Sequence, residues 1–222
     1  MTAPEDSIPK AIELLIQKTS SLKCSDSILP LVPNAQTTKS ACQRAVAIKI
    51  VADKIFTRKA VNDLISNAWN LFHSWNIASA GLHEQNIFHM TFEHDADKRR
   101  VMDLRPWSIN GRHIIIRDSL PDTTTLETDF SHSCFWIQAH GIPPSFFTEA
   151  NAILIGNQAG KFLESQFKAA SHLIWSRFMR IRVDVTLAKP LFAGFYLERR
   201  NNSKVWIQLK YERLSDFCYK CG

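Results

Sequence analysis

From about Val46 to Asp118 the apolar residues alternate between two spacings, and the order of the alternation leaves few folds open. AVAIKIV (45–51) reads as a strand. TRKAVNDLISNAWNLF (57–72) sets Val61, Leu64, Ile65, Ala68, Trp69 and Phe72 on one helical stripe, with Thr57 placed as its N-cap. NIASAGL (76–82) and NIFHMTFE (86–93) read as two strands joined by a polar turn at His83 to Gln85. DADKRRVMDL (95–104) reads as a helix with Asp95 near its start, Val101 and Leu104 inward, and Pro106 ending it. RHIIIRD (112–118) closes the unit as a strand. Residues 44–120 thus have the order β-α-β-β-α-β, which is that of the ferredoxin-like plaits, RNA-recognition modules among them.

A loop over 121–133 leads to a second block, 134–215, expected to be a small, mostly antiparallel α+β unit. CFWIQAHGIP (134–143) reads as a strand, SFFTEANAILIGNQAG (145–160) as a helix that Gly160 terminates, and KFLESQF (161–167) as a further strand. RFMRIRVDVTL (177–187) and KVWIQLKYERL (204–214) alternate with period two, the mark of half-buried antiparallel strands. AKPLFAGFYLERRNNS (188–203) supplies a short strand and an Asn-rich turn between them. Residues 1–43 hold one short apolar helix, IPKAIELLIQK (8–18), within a Ser-, Thr- and Pro-rich stretch that reads as a flexible leader.

Forty-five per cent hydrophobic residues, six Trp and 14 Phe are enough to build cores for both blocks and too many for a disordered chain. No run approaches the roughly 18 apolar residues that a membrane span needs, and Glu5 and Asp6 stand where a secretory signal carries positive charge. Five scattered cysteines, an odd number, do not form a disulfide framework. These features together point to an intracellular, reducing location, nucleus or cytoplasm, and to no membrane partner.

Charge is distributed unevenly. Residues 161–222 hold 12 of the 27 Lys and Arg and 5 of the 21 Asp and Glu, a net +7, which leaves −1 on the first 160 residues. A partner carrying phosphates meets that end first. In RFMRIRVDV, Arg180, Arg182 and Asp184 share one strand face; in KVWIQLK, Lys204, Trp206, Gln208 and Lys210 do. If both faces lie on the same side of one sheet, cations surround a Trp, an arrangement suited to single-stranded nucleic acid, whose bases stack on indole. The competing reading is an ordinary solvent face with Trp206 partly covered.

RPWSINGRHIIIR, CFWIQAHGIPPSFFTEANAILIGNQAGKFLE, RFMRIRVDV with KPLFAGFYLERR, and VWIQLKYERLSDFCYKCG together resemble the plant protein family called domain of unknown function 4283 with its following CCHC-type zinc knuckle. The resemblance runs from about Val46 to Gly222. It implies kinship with proteins derived from plant non-LTR retroelements, and zinc as the cofactor of the complete family protein. In the family the knuckle reads C-x-x-C, four residues, His, four residues, Cys; Cys218 and Cys221 match the first two ligands, and 216–222 matches only the start of the motif. Two thiolates do not fill a tetrahedral shell, so tight zinc binding by these residues alone is not expected.

The third strand of the plait departs from the RNA-recognition pattern, which calls for a basic residue, Gly and aromatics. Phe88 and Phe92 share one face, where they either stack on bases or pack beneath the two helices; packing is expected. His132, His140, His172 or Cys134 could complete a zinc site with Cys218 and Cys221, but none has the local spacing for it. His83, Glu84, His89, His94 and Asp95 cluster in sequence, and Cys134 lies between His132 and His140, but none of this has the spacing of a metal hydrolase or thiol enzyme. The expected protein is therefore not an enzyme. It binds single-stranded RNA or DNA through Arg180, Arg182, Lys204, Trp206 and Lys210; the alternative is a protein-interaction or self-association module.

Overall fold

The computed structural model describes residues 10–20, 28–81, 85–166, 177–199 and 202–214. The chain divides into two compact units, Met1–Asn34 and Ala35–Gly222. In the first, helix α1 (Lys10–Ser20) places Glu13 in its opening turn and Lys18 in its last, each sign suited to the helix dipole. Thr19 Oγ1 donates back to the Leu15 and Ile16 carbonyls.

The second unit is α+β. It begins with helix α2 (Ala35–Gln43), a segment expected to belong to the leader. There follow β1 (Ala45–Ile50), α3 (Arg58–Trp69), β2 (Trp75–Ser79), β3 (Ile87–Phe92), α4 (Asp95–Asp103), β4 (Trp107–Ile109) and β5 (Arg112–Asp118). The strands form an antiparallel sheet in the order β2-β3-β1-β5-β4. The expected β-α-β-β-α-β order is present with one addition, β4, which is tied to β5 through the two-residue turn Asn110-Gly111. Both turn residues have positive φ, 50° and 74°, as tight hairpins of this length require.

Thr57 caps α3 by accepting from the Ala60 amide at 3.2 Å, and Asn70 ends it in the left-handed conformation. Because the helix stops there, Phe72 leaves the expected stripe and turns outward, 78 % exposed, with the Arg100 guanidinium 5.3 Å from its ring centre. Val101 is buried as expected, but Leu104 follows the last helical turn and is 42 % exposed. Val61, Ile65 and Trp69 of α3 and Val101 of α4 pack on Val46, Ile48, Phe88, Met90, Phe92, Ile114 and Ile116. Phe88 and Phe92 therefore belong to the core, where each such side chain contributes about 1.5–3 kcal/mol by leaving water. The opposite face of this sheet is covered as well. Phe130 packs on Ala47, Ile87 and Ile115, and His89 Nδ1 lies 3.1 Å from Thr125 Oγ1, so the connecting loop closes the face that RNA-recognition modules leave open.

After the loop come β6 (His132–His140), a single 3-10 turn (Pro144–Phe146), α5 (Glu149–Ala159), β7 (Lys161–Ser165), β8 (Phe178–Thr186), β9 (Gly194–Glu198) and β10 (Lys204–Tyr211). Thr148 caps α5 through the Asn151 amide. Gly160 ends it where any Cβ would collide with the Asp184 carbonyl. The second sheet is antiparallel with the order β7-β8-β6-β10-β9. Counting strands from the start of each half, this is the order of the first sheet. The helix that α4 provides in the first half has no counterpart between β8 and β9; Leu191 and Phe192 of that connection pack on the core instead, beside the contacts made by Ala152 and Ile155 of α5.

The two sheets brace each other through polar groups. Arg213 Nη1 donates to the Leu104 and Pro106 carbonyls at 3.0 and 3.2 Å, Arg117 pairs with Asp184 at 3.4 Å, and His113 stacks on Phe135 with Nε2 2.8 Å from Ser133 Oγ. Burial pushes the His113 imidazole down to about 4, so it is neutral across the physiological range. Among the described residues no helix is long and apolar enough to cross a membrane.

Candidate functional site

In the second sheet Phe135, Ile137 and Ala139 of β6 join the core with α5, so the alternate residues of β6 and their cross-strand partners face the other way. The register pairs Trp136 with Arg182, Gln138 with Arg180 and Lys210, His140 with Phe178 and Gln208, and Trp206 with Tyr196. Arg180, Arg182, Lys204, Trp206 and Lys210, drawn from two strands that are not neighbours, consequently lie on one sheet face.

The five residues are not equivalent. Arg180 forks onto Glu212, Nε to Oε1 at 2.8 Å and Nη2 to Oε2 at 2.7 Å, and its guanidinium carbon lies 3.9 Å from the centre of the Trp136 ring. The hydrogen bonds from Arg180, against the effect of partial burial and aided by Gln138, hold the Glu212 carboxyl below its ordinary value. Arg182 is 8 % exposed, pairs with Glu164 at 2.7 Å, and donates to the Met102 carbonyl at 2.7 Å across the junction of the two sheets. Both guanidiniums, expected to offer free charge, are already paired. They bind the face together around Trp136, a residue of that face which sequence reading did not single out.

The β9–β10 side of the same face differs. Lys204 is exposed and Lys210 half-buried, and neither has an acidic partner among the described residues, although Glu198 stands opposite Lys204 in register. Between them Trp206 is 46 % exposed and Tyr196 69 %. Their rings meet edge to face, 5.0 Å between centres at 65°. The indole lies back over Gly194, where an added Cβ would stand 2.7 Å from Trp206 Cζ2 and collide with the Ile207 carbonyl. His140, in the row beyond Trp206, tilts against Phe178 at 5.1 Å and has Nε2 3.1 Å from Gln138 Oε1. Partial burial, then the charge of Lys210, lower the His140 imidazole from its ordinary value and favour its neutral form. Tyr196 was legible in principle: in GFYLE, Phe195 and Leu197 alternate inward, which sends Tyr196 outward.

The other candidates disperse. Cys134 is buried with Sγ 3.7 Å from Asp184 Oδ1, and burial raises its thiol above the ordinary value, the reverse of what a nucleophile needs. His94 caps α4 and stacks on His73 at 4.7 Å; His132 stands 3.5 Å from Asp129; His89 bonds Thr125. Among the described residues no three His, Cys, Asp or Glu converge as metal ligands. His83, Glu84, His172, Cys218 and Cys221 lie outside the described residues. No protein-family model matches the chain, and no curated protein is similar to it.

Proposed function

We propose that this protein is a non-catalytic binder of single-stranded nucleic acid, RNA or DNA, acting through the β9–β10 side of its second sheet. The observation that carries the reading is the exposed indole of Trp206 with Tyr196 beside it, flanked by two lysines without ion-pair partners on a face whose arginines are paired. Bases stack on the rings and phosphates meet Lys204 and Lys210, while Arg180 and Arg182 hold the sheet face in shape. The resemblance to plant retroelement-derived proteins carrying a zinc knuckle supports the same reading. Cys218 and Cys221 would be the zinc ligands this chain contributes, and no part of the binding proposed for the sheet face requires them. Trp206→Ala should weaken binding of a labelled ten-nucleotide single strand by roughly 5- to 100-fold in fluorescence anisotropy, the effect of losing one stacked base. Undiminished affinity in that variant would refute the site.

Self-association is the second reading. It is favoured by β9, which among the described strands pairs with β10 alone and so presents a free backbone edge. Light scattering across a concentration series separates the two, since strand addition at β9 raises the mass without nucleic acid.

A further inference from the structure

We infer that two copies of this chain join through β9, strand against strand about a two-fold axis at Tyr196, so that their second sheets run on as one. The inference rests on the self-association reading above and adds to it a partner, a register and an orientation. Its basis is the direction of the backbone groups. The Leu209 amide donates to the Ala193 carbonyl and the Arg199 amide to the Ser203 carbonyl, both at 2.9 Å, and the β9–β10 register runs unbroken between these two pairs. Bonded pairs alternate along an antiparallel ladder. Ala193, Phe195, Leu197 and Arg199 therefore turn their backbone groups toward β10, while Gly194, Tyr196 and Glu198 hold theirs in the sheet plane, pointing away from it. Among the described residues no strand pairs with that edge.

The edge is complementary to itself. With Tyr196 opposite Tyr196 of the second copy, the outward groups of Gly194 meet those of Glu198, and each of these pairs exchanges both of its hydrogen bonds. Phe195 then stands opposite Leu197 of the second copy on the inner face, where both are half-buried against the core and the join covers them further. On the outer face Glu198, the one charge of the strand, meets a glycine; its own copy lies four residues along, about 13 Å away. Two other sheet edges are blunted. β4 is three residues long, and β7 opens with Lys161 and shifts register between Phe162 and Glu164. β9 has no Lys, no Pro and no irregularity. Side chains stand perpendicular to a sheet, so a join at the edge leaves Trp206 and Tyr196 open on the face. Pairing and strand binding do not compete for one surface.

Light scattering of the full chain over a concentration series should show the mass rising from one chain to two. Glu198→Pro removes an outward N–H and no bond to β10, so it should fold and yet weaken dimerisation by roughly 5- to 100-fold, the effect of the two hydrogen bonds lost across the axis. Cross-linking by oxidised glutathione reads the register. Tyr196→Cys sets two thiols on opposed residues with Cα atoms about 5.5 Å apart, within disulfide reach, whereas Glu198→Cys sets them about 13 Å apart. The first variant should give a covalent dimer, and the second no more than the unsubstituted chain, whose own cysteines set the background. Equal cross-linking of the two variants, or a dimer whose affinity survives Glu198→Pro, overturns this join while the self-association reading stands. A mass of one chain at every concentration overturns both. If Glu198→Pro does not fold, the cysteine pair decides the register alone.

Discussion

Arg182 and Lys204 carry the same charge on the same sheet face, yet their surroundings give them different work. Arg182 sits in the junction between sheets and is used by Glu164 and a backbone carbonyl, whereas Lys204 points to water. Strand parity in the sequence places both on one face; it is silent on pairing, because the partners Glu164 and Met102 of Arg182 lie 18 and 80 residues away along the chain, and Glu212, the partner of Arg180, lies 32 away. A similar distant bond fixes Asp97. This buried carboxylate accepts from the Phe72 and His73 amides and lies 3.0 Å from His73 Nδ1. Burial alone would raise its carboxyl, but these hydrogen bonds outweigh burial and leave it below the ordinary value. A carboxyl lowered by folding adds stability above the ordinary carboxylate range, and the protein loses that stability as pH falls through the range toward the folded value. Asp97→Asn should therefore lower stability at pH 7 by about 1–3 kcal/mol in urea unfolding, and the gap to the unsubstituted chain should narrow near pH 3. A gap that is the same at both pH values would contradict the role given to this carboxylate.

Among the elements, those with a strong period were legible: Thr57 caps α3 as expected, and the period-two runs became β8 and β10, whereas α5 begins only at Glu149, behind its Thr148 cap, and not at Ser145. β4 was not read, because three residues show no period. Its signal was the Asn110-Gly111 pair, a hairpin turn in plain view between Ile109 and Arg112. The shared strand order of the two sheets was also hidden, since the halves have no evident sequence repeat and one of them replaces a helix by Leu191 and Phe192. Gly194 belongs to this scale, for it decides how closely β9 and the Trp206 ring approach. Gly194→Ala should displace the indole, lower the melting temperature through an overpacking cost of about 1–3 kcal/mol, and weaken single-strand binding. A variant with unchanged melting and unchanged binding would show that the close approach at Gly194 is not needed.

Across the whole molecule, the sequence shows a basic last quarter, and the fold sorts that charge. Arg180, Arg182 and Arg213 are committed to carboxylates or carbonyls, the last two across the junction of the two sheets. Lys204 and Lys210 remain without such partners among the described residues, on either side of exposed aromatic rings. Net charge alone would have credited the arginines and lysines equally. Binding energy that comes from phosphates must then depend on salt through the lysines and not through Arg182. The direct measurement is the affinity of the full chain for a labelled single strand at 50 and 200 mM salt, repeated for Lys204→Gln with Lys210→Gln and for Arg182→Gln. Two phosphate contacts predict about a sevenfold loss over that range. The account predicts that loss for the unsubstituted chain and for Arg182→Gln, and little or none for the double lysine variant; a double lysine variant that keeps the full salt dependence would contradict it.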